Sequence, residues 1–249
     1  MKRMAQIVLV CAAAVILFVG CSGGGNSDNS EEWVTVFEDN FDRADTTDLN
    51  LGTNWSIIGT LGTDEMYITS GEVRSSYQDA GGPGVIAVYT GTVDYSKPLR
   101  VSVKAKVTPG APDSPYEFLG IEINADGTTY AGYYTSLTFD GAHLSLKLAR
   151  TDGTNDVNPP APALADVTGI VVDSTWYTIE METSGTTITA RIKDTAGATL
   201  GTVTITDPTA TPLSSGSVVF YNYLVDDLGD PMPVGYYAEF DDFKLESYQ

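Results

Sequence analysis

Period-two alternation of apolar and polar residues in segment after segment, turn signals at intervals of ~8–12 residues, and no helical period sustained over three turns beyond Trp33 point to an all-β protein, an antiparallel sandwich of two sheets. The chain has 249 residues, of which 42% are hydrophobic and 18% charged. That is enough apolar material for a sizeable core and argues against global disorder. Sandwiches of this size commonly form one unit, and no shift in composition divides residues 33–249.

Residues 1–20 have the build of an export signal. Lys2 and Arg3 precede an apolar run from Ile7 to Val19, roughly 13 residues against the ~20 that a spanning helix needs. Phe18-Val19-Gly20-Cys21 resembles the lipobox of bacterial lipoproteins. The resemblance implies cleavage after Gly20, a diacylglycerol on the Cys21 thiol and an acylated amino terminus. Cysteine usage agrees: of the two in the chain, Cys11 lies inside the signal and Cys21 at its end, so no intramolecular disulfide remains after export. Several acyl chains hold a membrane far more firmly than one. Ser22 after the cysteine resembles the sorting pattern for the outer membrane of a Gram-negative cell. Residues 21–32 read as the lipidated cysteine and a Gly/Ser/Asn tether. The expected location is therefore the cell envelope.

From there the strands follow in order. Leu99, Val101, Val103, Ala105 and Val107 alternate with Arg100, Ser102, Lys104 and Lys106, as a half-buried strand does. The same phase runs through Leu119, Ile121 and Ile123 against Glu122 and Asn124, and through Leu144, Leu146 and Leu148 against His143, Ser145 and Lys147. Tyr177, Ile179 and Met181 alternate with Glu180 and Glu182; Ile188, Ala190 and Ile192 alternate with Thr189 and Arg191; Val203 and Ile205 lie between threonines. Val218-Val219-Phe220-Tyr221 is apolar at both parities, the pattern of a strand covered on both faces. Asp126-Gly127, Asp140-Gly141, Ser184-Gly185 and Ala196-Gly197 supply hairpin turns. Pro109–Pro115, Asn158–Pro162 and Asp226–Pro233 supply longer loops. Many strands with tight links and no helical crossover describe a sandwich or jelly roll.

Phe37-Glu38-Asp39-Asn40-Phe41-Asp42-Arg43-Ala44-Asp45, followed by Leu51-Gly52-Thr53-Asn54-Trp55, resembles the opening of concanavalin A-like (LamG-like) jelly-roll domains. Ser70-Gly71-Glu72-Val73-Arg74, the Trp176-Tyr177-Thr178-Ile179-Glu180 hairpin with Ile188-Thr189-Ala190, and the closing Phe240-Asp241-Asp242-Phe243-Lys244-Leu245 continue it in order across residues 33–249. The resemblance implies an antiparallel two-sheet jelly roll. That fold hosts lectins, glycan-binding modules, glycosidases, lyases and adhesive domains.

Charge excludes some functions. The net charge of −20 leaves nothing to neutralise a row of phosphates, which argues against nucleic acid. The same field repels anions and attracts cations. The resemblance implies a Ca²⁺ ion joining the first and last strands, for which Glu38, Asp39, Asp42, Asp241 and Asp242 offer hard oxygen ligands. Asp226, Asp227 and Asp230, and Asp152 with Asn155 and Asp156, are further acidic clusters without EF-hand spacing, and read as solvated loops.

Jelly-roll glucanases carry Glu-x-Asp-x-Glu on one strand face, and Glu122, Asn124 and Asp126 stand at the corresponding spacing with Asn in the middle. Retaining hydrolysis needs carboxyls ~5–5.5 Å apart, whereas positions i and i+4 of a strand lie ~13 Å apart. Glu122 would need a partner from another strand, Glu180 or Glu182, and a polar strand face is the simpler account. A Ser-His-Asp triad would rest on His143, the one histidine, and no nucleophile elbow, zinc set or nucleotide loop appears.

Tyr130 with Tyr134, and Tyr221 with Tyr223, would share strand faces, with Tyr236-Tyr237 just before the last strand. Tyrosine rings stack on pyranose faces and also fill sheets. The expected function is a lipid-anchored carbohydrate-binding module without catalysis. The alternatives are a structural or adhesive protein with a protein partner, and a glycoside hydrolase or lyase.

Overall fold

The computed structural model describes residues 32–47, 49–59, 64–76, 84–108, 115–125, 131–140, 144–152, 155–167, 175–208, 215–223 and 237–249. Among them every regular element is a strand. In chain order these are β1 (Trp33–Asp39), β2 (Trp55–Ile58), β3 (Glu65–Thr69), β4 (Glu72–Ser76), β5 (Val85–Tyr89), β6 (Leu99–Thr108), β7 (Pro115–Ala125) and β8 (Gly132–Asp140). There follow β9 (Leu144–Thr151), β10 (Ala163–Val167), β11 (Tyr177–Ser184), β12 (Thr187–Lys193), β13 (Thr199–Thr206), β14 (Ser217–Asn222) and β15 (Tyr237–Tyr248). The signal segment, the tether and Cys21 lie outside the described residues, as do the Asp126-Gly127 turn and the loop at Asp226–Pro233.

Two antiparallel sheets form. The eight-stranded sheet runs β13-β12-β11-β6-β15-β4-β3, with β1 also paired to β15. The seven-stranded sheet runs β10-β9-β8-β7-β14-β5-β2. Strand β15 is the spine of the first sheet. One edge pairs with β6; the other pairs with β4 through Ala238–Phe240 and with β1 through Phe243–Tyr248. A register shift between Asp241 and Lys244 separates the two halves, and Asp242 there adopts φ 47°, which Asp tolerates better than most residues.

The alternation read from the sequence is what packs the sheets. Val101, Val103, Ile179, Met181, Ile188, Ala190 and Ile192 from one sheet meet Leu119, Ile121, Ile123, Leu146, Leu148, Val218 and Phe220 from the other in one core. At about 25 cal/mol per Å² of apolar surface removed from water, this interface is the main stabilising term. An aromatic group built on Trp55 anchors one end of it, with ring centroids 4.9 Å from Phe243 and 5.1 Å from Phe220.

Strand β14 is covered on both faces as its sequence required: Val218 and Phe220 enter this core, and Val219 enters a second cluster on the outside of its sheet. The weaker signals belong to β5 and β10. Each has only five residues, and β10 follows directly on a proline-rich stretch.

Polar ties also cross between the sheets. Asn222 at the end of β14 donates through Nδ2 to the carbonyl and hydroxyl oxygens of Ser75 on β4, at 3.1 and 3.2 Å. Asp207, just after β13 and fully buried, accepts from the Tyr133 hydroxyl of β8 and from Arg150 Nη1 of β9 at 3.0 Å. Removing one member of a buried pair strands the charge of the other. Asp207→Ala is therefore expected to cost about 3 kcal/mol, read as a lower midpoint in urea, with Tyr133→Phe costing less.

Candidate functional site

The outward side of the seven-stranded sheet carries an unusual local arrangement around β7. Ile121 and Ile123 point into the core, so Glu122 points outward, opposite Tyr134 on β8 and Val219 on β14. Glu122 is only 6% exposed. Gly132 leaves the room its carboxylate occupies, because a Cβ there would lie 2.5 Å from Glu122 Oε1.

Gly120 performs the same service for Tyr221. A Cβ at Gly120 would lie 1.9 Å from the Thr135 carbonyl oxygen and 2.6 Å from the Tyr221 hydroxyl oxygen, so glycine admits the close approach of both. With no side chain in the way, the phenol reaches from β14 over β7 and donates to the Thr135 carbonyl of β8 at 3.2 Å. Tyr221 thus lies across the sheet.

On one side of Tyr221 the face is polar. The Tyr134 hydroxyl donates to Asp156 Oδ1 at 2.6 Å, Lys147 Nζ lies 3.0 Å from Asp156 Oδ2, and the same Nζ is 5.3 Å from the centre of the Tyr134 ring. Ser136 is in register with both Gly120 and Lys147, and its buried hydroxyl has no hydrogen-bond partner among the described residues. On the other side the face is apolar: Ile86, Ala125 and Val219 form a cluster joined by Ile58, Val88 and Tyr221.

Several expectations are redrawn here. A register shift between β7 and β14 falls at Asn124, after which Ala125 joins the outward apolar cluster. The bulge ends the alternation that would have put Glu122, Asn124 and Asp126 on one face, and Asp126 lies outside the described residues. Glu180 and Glu182 cannot serve Glu122. They stand on the outward side of the other sheet, since Ile179 and Met181 fill the core between, and they are held by Arg191 and Lys193. Tyr221 and Tyr223 do not share a face: β14 ends at Asn222, and Tyr223 packs against the main core. Tyr130, His143, Tyr236 and the Asp226, Asp227 and Asp230 cluster lie outside the described residues. Asp152 closes its own turn by accepting from the Asn155 N–H at 2.8 Å.

The outward side of the eight-stranded sheet is a lattice of ion pairs. Glu239 lies between Arg74 and Lys106, Glu246 between Arg100 and Lys244, and Glu180 between Arg191 and Lys193. Aromatic rings cap it: Arg100 sits 4.5 Å from the centre of Trp33, and Lys106 sits 4.2 Å from that of Trp176.

Of the five carboxylates considered for Ca²⁺, Glu38, Asp39 and Asp242 lie where the first and last strands meet, lining a cleft with Lys244. Asp39 is already saturated, however. It accepts from Arg43 at 2.6 and 3.0 Å, from Trp55 Nε1 at 2.8 Å, and from the N–H of Phe41, which takes φ 52° in the turn. Asp242 pairs with Lys104, Asp42 is turned toward Gly71, and Asp241 accepts from the Asp242 N–H. Among the described residues no three Asp, Glu, His or Cys side chains are grouped to hold a metal ion. So placed, the set does not fit the six to eight oxygens that Ca²⁺ requires.

Sequence reading missed Gly120, Ser136 and Lys147. The signal for the first was a glycine at outward parity between two core residues, a gap that a neighbouring ring can fill.

Solved structures share this architecture. The CBM2 module of the evolved Dit of Lactobacillus casei BL23 phage J-1 superposes with a TM-score of 0.60 at 13% identity, over 88% of this chain and 97% of that one. The endo-β-1,3-glucanase of Pyrococcus furiosus gives 0.56 at 13% identity, over 89% and 97%. The chain has the concanavalin A-like jelly-roll fold. The endo-β-1,3(4)-glucanase SCLam of family GH16 is similar to the same extent, at 0.56 and 12% identity over 87% of this chain and 92% of that one. No protein-family model and no curated protein sequence matches.

The saturated Asp39 gives this jelly roll an acid limit. Burial pushes its pKa up, but the hydrogen bonds from Arg43, Trp55 and the Phe41 N–H outweigh that and hold it below the ordinary carboxylate value. A depressed native pKa contributes stability that is complete above about pH 4 and is lost as pH falls through the native value. Asp39→Asn is expected to lower Tm at pH 7 and to flatten the fall in Tm below pH ~4, as thermal unfolding across pH would measure.

Proposed function

We propose that this chain is a cell-envelope protein that binds carbohydrate, without cleaving it, on the outward side of its seven-stranded sheet. The observation that carries the reading is Tyr221 lying across Gly120 between a polar group and an apolar strip. A sugar ring presents an apolar C–H face and a rim of hydroxyls. A ring flanked by Tyr134, Asp156 and Ser136 on one side and by Val88, Val219 and Ile86 on the other suits both. Structural neighbours that bind or hydrolyse glycans on the same fold support it.

The non-catalytic reading rests on the carboxylates. Retaining or inverting hydrolysis uses a pair flanking the scissile bond. Beside Glu122 on this face, Asp156 is engaged by Tyr134 and Lys147, and Asp166 stands three strands away on the edge strand β10, accepting from the Ser145 hydroxyl at 3.2 Å. The anchor in this proposal is a lipid on Cys21, with the tether of residues 21–32 holding the jelly roll off an outer-membrane surface.

A glycan array probed with the purified full-length chain tests the binding. Reproducible binding to one glycan class is expected, with Tyr221→Ala and Tyr134→Ala each weakening it about tenfold, the equivalent of ~1.4 kcal/mol. Thr204→Ala, on the outward side of the other sheet, should leave binding as it was. A blank array from folded protein would transfer the face to a protein partner. Metabolic labelling with palmitate tests the anchor: the label is expected on the wild-type chain and absent from Cys21→Ala, and label that persists in the variant would refute the assignment.

A further inference from the structure

Where the cations of this protein are spent determines what kind of glycan it accepts. Every Lys and Arg beyond Arg3 is among the described residues. Arg74, Arg100, Lys104, Lys106, Arg191, Lys193 and Lys244 stand in the ion-pair lattice of the eight-stranded sheet, each within salt-bridge distance of an acidic partner. Arg43 holds Asp39, Arg150 holds the buried Asp207, and Lys97 donates to Gln249 Oε1 at 2.7 Å.

That leaves Lys147 as the single Lys or Arg on the outward side of the seven-stranded sheet. It is 17% exposed, paired to Asp156 and set against the Tyr134 ring. Glu122, Asp156 and Asp166 share that side with it.

The two sides of the sandwich therefore differ in kind. On the eight-stranded side acids and bases cancel at contact distance, so little of the net charge of −20 originates there. Among the described residues the side with Tyr221 carries Glu122, Asp156 and Asp166 against Lys147 alone, a surplus of two acids. A carboxylate, sulfate or phosphate arriving there would meet a repulsive field and exchange its hydration for no free cation.

We infer that the ligand of this face is a neutral glycan, and that the face rejects uronate-rich or sulfated polysaccharides of the same backbone. The inference rests on the carbohydrate reading above and adds the substrate class to it.

Paired polymers sharing a backbone separate the two ideas. The purified full-length chain is titrated with hydroxyethyl cellulose and carboxymethyl cellulose, and with dextran and dextran sulfate, at low ionic strength and at about 0.5 M salt, where the Debye length is only a few Å. The expected result is binding to a neutral member, at least about tenfold weaker binding to its anionic counterpart at low salt, and a gap that narrows as salt rises. Asp156→Asn, which releases Lys147, should narrow the gap at low salt as well. Anionic polymer bound as tightly as neutral, or more tightly, would overturn the inference while leaving carbohydrate binding intact. Failure to bind any member of an extended neutral and anionic panel would overturn the carbohydrate reading itself, and this inference with it.

Discussion

The apolar interface between the two sheets is the constraint from which the rest follows. It takes every second side chain of the long strands, so whatever the protein does at its sheet faces must be done with the other half. On β6 the core takes Val101, Val103 and Ala105 and leaves Ser102, Lys104 and Lys106; on β7 it takes Ile121 and Ile123 and leaves Gly120 and Glu122. Burial of that interface stabilises the fold far more than any single surface contact does. Within it, Asn222 is tied to Ser75, and Asp207 to Tyr133 and Arg150.

The half left over is used differently on the two sides. The eight-stranded sheet fills its outward rows with long charged side chains that bridge neighbouring strands, and their stems and rings cover the sheet. The seven-stranded sheet leaves gaps at Gly120 and Gly132, and the gaps admit Tyr221 and Glu122 close to the backbone. A surface whose charges are all satisfied by neighbours has little to offer a ligand. One built from a laid-down ring, small residues and short polar groups has contacts still to make. Arg43 is likewise taken up within the protein, holding Asp39 through two hydrogen bonds.

Much of the fold was legible. The long strands β6, β9, β11 and β12 have clean period-two patterns because one face is wet, and β14 was marked as central because it is apolar at both parities. That the first and last strands meet was implied by the family resemblance alone, and β1 and β15 do pair, Glu38 opposite Lys244 and Asp39 opposite Phe243. The site was less legible, for two physical reasons. One is the bulge at Asn124: a single extra residue inverts the parity of everything after it, and alternation alone cannot announce where that happens. The other is that carboxylates of identical type have opposite fates. Glu180 and Glu182 are matched with Arg191 across the hairpin, and Asp39 is closed off by a guanidinium four residues away; sequence shows the charges but not the pairing.

Mapping backbone amide chemical shifts of the full-length chain during titration with a neutral oligosaccharide would locate the ligand on the sandwich without any mutation. Perturbations are expected to centre on Gly120, Tyr134, Ser136 and Tyr221 and to spread along β7, β8 and β14. Perturbations centred on Arg74, Lys106 and Glu239, or elsewhere on the outward side of the eight-stranded sheet, would contradict the assignment of function to the seven-stranded face.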